Sequence, residues 1–116
     1  MPFSRGDVVL VLYPDSNLRT AKRRPAIVVQ HDNLQTGLPQ VILAMISSNL
    51  SRVGHPSRIT VPKMSPAGQQ MGLRTDSVVM ADNLATVLEV EIDRVLGRLS
   101  DTTALDDALR HTLGLR

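Results

Sequence analysis

The chain has 116 residues, of which 42% are hydrophobic and 21% charged, values typical of one soluble globular domain spanning residues 1–116. It contains no cysteine, which excludes disulfides and thiolate metal sites and suits a cytoplasmic protein. No apolar run approaches the roughly 18 residues that cross a membrane, and the first residues lack the apolar core of a signal peptide. No membrane association is therefore expected.

Charge is distributed unevenly along the chain. Residues 1–74 contain nine Lys/Arg against three acids, whereas residues 75–116 contain four Arg against eight acids. This asymmetry predicts that the first part meets a polyanion. The aromatic residues are limited to Phe3 and Tyr13, which excludes the stacking platform of many single-strand binders. Contacts to a nucleic acid would then depend on backbone charge and hydrogen bonds.

The first two-thirds of the chain has the pattern of short β-strands separated by turn residues. The predicted strands span residues 8–12, about 26–31, 41–46, 58–61, 77–82 continuing toward 85–88, and about 94–99. The alternation in 58–61, followed by proline, predicts an edge strand. The stretch 65–70 is rich in turn-forming residues and is expected to be a loop.

The C-terminal segment predicts a helix. Ser100-Asp101 is the expected N-cap, and acids come early with Arg110 and His111 late, which suits the helix dipole. Gly114 is expected to end the helix. Its apolar face is predicted to contain Leu105, Ala108, Leu109, Thr112 and Leu113. Many short strands followed by one helix predict a small, strongly bent β-barrel with a packed helix.

Two polar clusters are candidates for a functional site. The first is Lys22-Arg23-Arg24-Pro25, which leads directly into an apolar strand. Arginine grips phosphate with a planar, permanently charged fork, and proline fixes the backbone at the junction. The second is Ser47-Ser48-Asn49, where the third strand ends. Taken alone, these clusters also fit a solvated basic loop and an ordinary turn.

The two clusters would form a single site if the second and third predicted strands pair. Arg24 and Ser47 would then lie at the same rim of the sheet. An arginine and a hydroxyl placed there can bind a phosphodiester and stabilise its pentavalent transition state.

Other catalytic patterns are absent from the sequence. There is no glycine-rich phosphate loop, no pair of carboxylates at helical spacing and no metal-ligand pattern, so no metal or cofactor is expected. His31, His55 and His111 are widely separated and are expected to be loop or surface residues. No spacing supports a ribonuclease mechanism that uses His31 and His55.

The chain resembles the MazF/PemK family of toxins from bacterial type II toxin–antitoxin modules. The resemblance covers nearly the whole chain, and its motifs are specific in combination. They are Arg5-Gly6-Asp7-Val8-Val9; Arg24-Pro25-Ala26-Ile27-Val28-Val29-Gln30 with Asn33; Ala44-Met45-Ile46-Ser47-Ser48-Asn49; His55-Pro56; Asp76-Ser77-Val78-Val79-Met80 with Asn83; and Leu113-Gly114-Leu115.

This resemblance implies an SH3-like β-barrel of about six or seven strands with a C-terminal helix, assembled as a homodimer. It implies a metal-independent, sequence-specific endoribonuclease that cuts single-stranded mRNA. The 2′-hydroxyl of the RNA attacks the adjacent phosphorus, which leaves a 2′,3′-cyclic phosphate and a free 5′-hydroxyl. A cognate antitoxin with an acidic, disordered tail would compete for the RNA groove, and DNA would be contacted only through the toxin–antitoxin complex.

The resemblance also suggests residue roles. Arg24 matches the family's arginine, which transfers protons and stabilises charge, and Ser47 matches its hydroxyl residue at the scissile phosphate. Stabilisation is the physically safer role, because an arginine with its usual pKa is a poor base. Lys22 and Arg23 are expected to steer RNA or the antitoxin from a mobile loop. The predicted RNA contacts are Arg19, Lys22, Arg23, Ser48, Asn49, Asp76 and Ser77.

Two departures from the family pattern stand out. Ser47 replaces a frequent threonine, which keeps the hydroxyl. The loop 17–23 contains three cations where the family usually has Gly, Glu and Gln, so no cleavage sequence is transferred.

Two alternatives remain open from the sequence. One is a non-enzymatic, CcdB-like toxin that binds DNA gyrase, and the other is an inactive homologue that binds RNA or an antitoxin. Retention of both Arg24 and Ser47 argues against the first, and only an activity measurement separates the second.

Overall fold

The computed structural model describes residues 3–32 and 34–116, so Met1, Pro2 and the motif residue Asn33 lie outside the described residues. In chain order, the elements are β1 (Asp7–Pro14), β2 (Ala21–Val28), β3 (Gln40–Ser47), β4 (Arg58–Val61), α1 (Pro66–Gln70), β5 (Ser77–Leu88), β6 (Ile92–Arg98) and α2 (Thr103–Leu113). Single 3-10 turns occupy Leu50–Arg52 and Glu89–Glu91. In the described part of the chain, neither α-helix is long and apolar enough to cross a membrane.

The six strands form one antiparallel sheet in the order β4-β5-β3-β2-β1-β6. The prediction of a mainly β fold with a C-terminal helix is confirmed, and β4 is an edge strand as expected. The sheet is not closed, because β4 and β6 do not pair and each leaves one side free.

Apolar side chains cover both faces of the sheet. Successive residues of a strand point to opposite faces, so the continuous apolar runs of β1 and β3 supply two cores at once. The first core contains Val9, Val11, Tyr13, Ala26, Val28, Leu43 and Met45 among others. The second core contains Val8, Ile27, Ala44, Ile46 and Val79, and Met71 and Leu105 close it. Burying each such side chain contributes about 1.5–3 kcal/mol, so both faces stabilise the sheet.

Strand β2 begins earlier than the sequence predicts and also ends earlier. It pairs with β1 from Ala21, and the pairs Tyr13↔Lys22 and Leu12↔Arg23 belong to this ladder. The expectation that Lys22 and Arg23 lie in a mobile loop is therefore wrong. Hairpin pairing uses backbone groups, and long cationic side chains on an exposed strand end extend into water without disturbing it.

The stretch 65–70 is a short helix and not the expected loop. Ser65 caps α1 by accepting a hydrogen bond from Gly68 N at 3.0 Å, and Pro66 fills the first helical position. Both are standard helix-start signals. The helix is too short to show an apolar period, which is why turn composition misled the prediction.

Helix α2 starts slightly later than expected. Thr102 is the N-cap residue, although the Asp101 carboxylate accepts a hydrogen bond from Thr103 N at 3.1 Å. Leu105 and Ala108 are buried, but Leu113 is 55% exposed, so the apolar face is shorter than predicted. Gly114 ends the helix in the left-handed conformation, as predicted.

Candidate active site

A proline ends the pairing of β2 with β3. Their ladder has three residue pairs and stops at Ala26↔Met45. The bond from Val29 N to Ile42 O, at 3.1 Å, shows that odd-numbered residues of β2 direct their N–H groups toward β3. Pro25 is the next such residue and has no N–H, so the ladder cannot continue. The two strands separate at this point.

Arg24 and Ser47 correspond to each other in this register, two positions beyond the pair Ala26↔Met45. They lie on the sheet face of Ala26 and Met45, because side chains alternate along a strand. Both line a cavity of about 430 Å³, here named the serine cavity. It is lined by Pro14, Asp15, Ser16, Arg24, Met45, Ser47, Ser48, Asn49, Arg52 and Asn83. The structure therefore brings the two predicted catalytic residues into one cavity.

The guanidinium of Arg24 keeps most of its hydrogen-bonding capacity. Its Nη2 donates to Asp15 Oδ1 at 3.2 Å, and the side chain is 31% exposed. Its Nε is buried and has no acceptor among the described residues. Buried donors are normally satisfied, so an unpaired one in a cavity indicates a place for an anionic ligand.

Ser47 presents a hydroxyl that is fixed on one side only. Its Oγ accepts a hydrogen bond from Asn49 N at 3.1 Å, and the residue is 8% exposed. No described residue accepts its hydroxyl hydrogen, so this hydroxyl can donate to a ligand oxygen. The Asn49 side chain is already engaged, because its Oδ1 accepts from Ser51 N and Ser51 Oγ at 3.1 and 2.7 Å.

An irregularity in β5 supplies Asn83 to the serine cavity. The β3–β5 register shifts between Ala44, which pairs with Leu84, and Met45, which pairs with Met80. The extra residues bulge out of the ladder. The Tyr13 hydroxyl holds this segment by donating to Asn83 O at 2.7 Å. Burial raises the pKa of Tyr13, so the hydroxyl stays protonated and remains a donor.

A second cavity of about 360 Å³, here named the arginine groove, meets the serine cavity at Arg24 and Ser48, which line both. Its other polar residues are Arg23, Arg74, Thr75, Ser77 and Arg94, and its apolar ones include Leu10, Pro25, Ile46 and Leu96. Arg23 forms an exposed ion pair with Asp93 at 3.2 Å. Within the described residues, Arg74 and Arg94 form no ion pair. The groove is therefore strongly cationic.

Of the remaining predicted RNA contacts, some line a cavity and others do not. Ser77 lines the arginine groove, although its hydroxyl donates to Thr75 O at 2.9 Å. Asp76 lines neither cavity, and its Oδ1 accepts a hydrogen bond from Lys63 N at 2.8 Å. Arg19 and Lys22 also line neither cavity.

The sequence interpretation missed several residues of the two cavities. Asp15 and Arg52 line the serine cavity, and Arg74 and Arg94 line the arginine groove. Arg74 precedes the Asp76-Ser77 motif by two residues, and this proximity was the available signal. Arg52 lies three residues after Asn49, in the turn that follows the predicted serine cluster, so its proximity was a second signal. The positions of Asp15 and Arg94 depend on the turn network after β1 and on β6 lying beside β1, which local sequence does not reveal.

The histidines lie outside both cavities. The rings of His55 and His111 are in edge-to-face contact, with centroids 5.8 Å apart, although the residues are distant in sequence. Nδ1 of His55 accepts a hydrogen bond from Ser57 N at 3.0 Å. Among residues 3–32 and 34–116, no group of three or more side chains is arranged to hold a metal ion.

Comparison with known proteins relates this geometry to a family. A family model described as PemK-like, MazF-like toxin of type II toxin–antitoxin systems matches residues 4–113.

Solved structures share the fold over nearly their full length. An endoribonuclease in complex with its cognate antitoxin, from a mycobacterial species, has a TM-score of 0.71 and 22% identity, covering 98% of this chain and 97% of its own. The Mycobacterium tuberculosis toxin MazF-mt6 has a TM-score of 0.70 and 23% identity, with coverage of 97% and 99%. MazF from Deinococcus radiodurans has a TM-score of 0.67 and 21% identity, with coverage of 98% and 97%.

Proposed function

The chain belongs to the PemK-like, MazF-like toxins of type II toxin–antitoxin systems, and from this premise we propose that it is an endoribonuclease that cleaves single-stranded mRNA without a metal ion. The observation that supports this most directly is the serine cavity. It combines Arg24, whose guanidinium has unused donors, with Ser47, whose hydroxyl can donate. Similar structures include proteins described as endoribonucleases.

The chemistry follows from these two groups. The 2′-oxygen of the RNA attacks the adjacent phosphorus and gives up its proton, the bond from phosphorus to the 5′-oxygen breaks, and that oxygen takes up a proton. Negative charge accumulates on the nonbridging oxygens in the transition state. Arg24 stabilises this charge, and the Ser47 hydroxyl donates to the scissile phosphate. The products are a 2′,3′-cyclic phosphate and a 5′-hydroxyl.

The arginine groove is the proposed path of the RNA backbone beside the scissile phosphate. Arg23, Arg74 and Arg94 line this groove, and we propose that they neutralise phosphates of the bound RNA. Ser48 lies between the two cavities and Ser77 within the groove, where hydroxyls can hydrogen-bond to phosphate or base. Asn49 is proposed as an RNA contact within the serine cavity, Arg19 and Lys22 as peripheral contacts, and Asp76 as a residue that holds the neighbouring loop in place.

The positive charge of the arginine groove and the toxin–antitoxin family of the chain suggest its partners. We propose a homodimer in the cytoplasm, inhibited by a cognate antitoxin whose acidic, disordered segment occupies the cationic groove. A mycobacterial relative is described in complex with its cognate antitoxin, and a Deinococcus radiodurans relative as a MazE–MazF complex. DNA is contacted only through such a complex.

The test is cleavage of a long single-stranded RNA by the purified protein in EDTA. We expect defined fragments with 2′,3′-cyclic phosphate and 5′-hydroxyl ends. Because Arg24 stabilises charge in the transition state, Arg24→Ala should lower the cleavage rate by roughly 100-fold or more. Mapping the fragment ends then gives the cleavage sequence.

Arg110→Ala is the matched control. Arg110 also forms one ion pair, with Asp107 at 2.8 Å, but it lies on α2 outside both cavities. Cleavage that survives Arg24→Ala would remove Arg24 from the mechanism. No cleavage of any RNA, together with capture of a topoisomerase, would instead indicate a CcdB-like toxin. Tight binding of RNA without cleavage would indicate an inactive homologue.

A further inference from the structure

Asp15 is an acid in a cavity whose other charged residues are the cations Arg24 and Arg52. It lies where β1 ends and the turn to β2 begins, and both of its carboxylate oxygens are engaged. Oδ2 accepts a hydrogen bond from Thr20 Oγ1 at 2.6 Å, and Oδ1 accepts one from Arg24 Nη2 at 3.2 Å. The side chain is 20% exposed and lines the serine cavity.

The turn holds this carboxylate in place without help from Arg24. Asp15 N donates to Thr20 O at 2.9 Å, and Leu18 N donates to Asp15 O at 2.9 Å. The Asn17 side chain accepts hydrogen bonds from Arg19 N and Thr20 N at 2.9 and 3.2 Å. Leu18 has φ of 61°, a conformation that non-glycine residues rarely adopt, and this network fixes it.

The contact uses a small part of the arginine's capacity. Asp15 is the only described residue that accepts a hydrogen bond from the Arg24 side chain, and it does so at one end of the guanidinium. The other donors, including the buried Nε, have no acceptor among the described residues. A carboxylate fixed to one end of a planar fork restricts the rotation of the whole fork.

Asp15 is not suited to accept a proton itself. The Thr20 hydroxyl, and after it the Arg24 guanidinium and the charge of Lys22, hold the pKa of Asp15 below its usual value. The carboxylate is therefore a weak base at neutral pH. Asp15 therefore contributes to the reaction through its contact with Arg24 and not by accepting a proton.

We propose that Asp15 is a positioning residue that locks the Arg24 guanidinium toward the scissile phosphate. This inference rests on the proposed function and deepens it. A fixed donor stabilises the transition state without reorganisation during the reaction, so loss of the lock lowers the chemical rate. Loss of the Asp15 charge does not weaken substrate binding, because the Asp15 carboxylate itself repels the phosphate.

The first experiment is steady-state cleavage of RNA by Asp15→Asn. The amide keeps the shape and can still pair with Thr20, but it loses the charge that holds the guanidinium. We expect kcat to fall by about tenfold, equivalent to about 1.4 kcal/mol of barrier, with KM unchanged or lower. Asp107→Asn, which removes the carboxylate of the ion pair with Arg110 on α2, should leave both constants unchanged.

A purely turn-building role is tested by Thr20→Val. This variant removes the hydroxyl that supports the turn but keeps the carboxylate beside Arg24. The proposal predicts a much larger loss of kcat in Asp15→Asn than in Thr20→Val. Equal losses in the two variants, a kcat for Asp15→Asn within twofold of wild type, or a raised KM with unchanged kcat would each overturn it.

A readout without RNA separates this inference from the proposed function. The Nε–H signal of Arg24 in a nitrogen-correlated NMR spectrum is assigned as the signal lost in Arg24→Lys. We expect a sharp, slowly exchanging signal in the wild type and a broadened or fast-exchanging one in Asp15→Asn. An identical signal in both would refute the lock even if RNA is cleaved. Absence of cleavage with a changed signal would instead refute only the proposed function.

Discussion

At the scale of single residues, two neighbouring arginines have different surroundings. Arg24 lies on the face of Ala26, whereas Arg23 lies on the opposite face. Arg23 forms an exposed pair with Asp93, while Arg24 has a buried Nε and lines the serine cavity together with Ser47. Because side chains alternate along β2, Arg23 is suited to attracting RNA or the antitoxin, whereas Arg24 is suited to the proposed reaction in the serine cavity.

The two serines at the end of β3 differ in the same way. Ser47 lies in the serine cavity and accepts a hydrogen bond from Asn49 N, whereas Ser48 lies where the two cavities meet. In the proposed mechanism the Ser47 hydroxyl donates to the scissile phosphate, so Ser47→Ala should lower kcat by about 10- to 100-fold. Ser47→Thr keeps the hydroxyl and should retain most activity. Steady-state kinetics on one RNA substrate measures both.

Ser48→Ala is the companion variant for this prediction. It should raise KM more than it lowers kcat, since the Ser48 hydroxyl lies beside the proposed path of the RNA backbone. If Ser48→Ala lost more kcat than Ser47→Ala, the role at the scissile phosphate would pass to Ser48.

At the scale of elements, α1 and β6 meet at a glycine. A Cβ added at Gly97 would lie 2.3 Å from Gln70 O and 2.5 Å from the Met71 carbonyl carbon, which are backbone atoms that cannot move aside cheaply. Gly97→Ala should therefore lower the free energy of unfolding by about 1–3 kcal/mol. Urea unfolding followed by circular dichroism measures this change.

Val95→Ala provides the comparison on the same strand. Val95 is 51% exposed, so its truncation should change the unfolding free energy by only about 0.5 kcal/mol. Equal stability of Gly97→Ala and the wild type would mean that α1 does not pack closely on β6.

Most elements could be predicted because their signals are local. The apolar runs of β1, β3 and β5 and the left-handed Gly114 after α2 all act within a few residues. Helix α1 was missed because five residues are too few for periodicity. The start of β2 was missed because Lys22 and Arg23 are strand residues only through pairing with β1.

At the scale of the whole molecule, folding brings the basic first part and the acidic second part of the chain together. Among the described residues, four ion pairs connect them, namely Arg5–Asp106 at 2.7 Å, Arg23–Asp93 at 3.2 Å, Arg58–Asp82 at 2.8 Å and Arg98–Asp7 at 2.8 Å. The separation of basic and acidic residues along the sequence is therefore only partly retained on the surface of the folded protein. The cations that line the cavities without an ion pair among the described residues are Arg52, Arg74 and Arg94.

Stability should decline in acid. The hydrogen bond from Arg58 holds the pKa of Asp82 below its usual value, and the hydroxyl of Thr103 does the same for Asp101. A carboxylate with a lowered folded pKa stabilises the fold above its unfolded pKa, and this contribution is lost as pH falls through the folded value. The thermal midpoint should therefore be nearly constant from about pH 7 to pH 5 and fall below about pH 4.

Asp82→Asn tests the source of this acid dependence. The variant should have a lower thermal midpoint than the wild type at neutral pH and lose less of it between about pH 5 and pH 3. Melting curves by circular dichroism at each pH provide the measurement. Parallel curves for the variant and the wild type would show that Asp82 does not contribute.

The site was less predictable than the fold. Arg24 and Ser47 could be paired from sequence because one assumption, that β2 and β3 are neighbours, was enough to join them. Asp15 and Arg94 could not, because their positions depend on a turn network and on β6 lying beside β1. Long-range strand order is a property of the assembled sheet and has no local signature.

The opposite orientation of Arg23 and Arg24 also constrains how this chain can evolve. A slip of β2 by one residue would exchange the faces of the two arginines and move Ala26 and Val28 out of the first core to the opposite face of the sheet, where the second core is packed around other side chains. Insertions and deletions are therefore tolerable only where the turn can absorb them without moving β2. The tip between Asp15 and Thr20, closed by their backbone hydrogen bond, can absorb a change of length without shifting β2, but such a change would also disturb the hydrogen bonds that hold the Asp15 carboxylate.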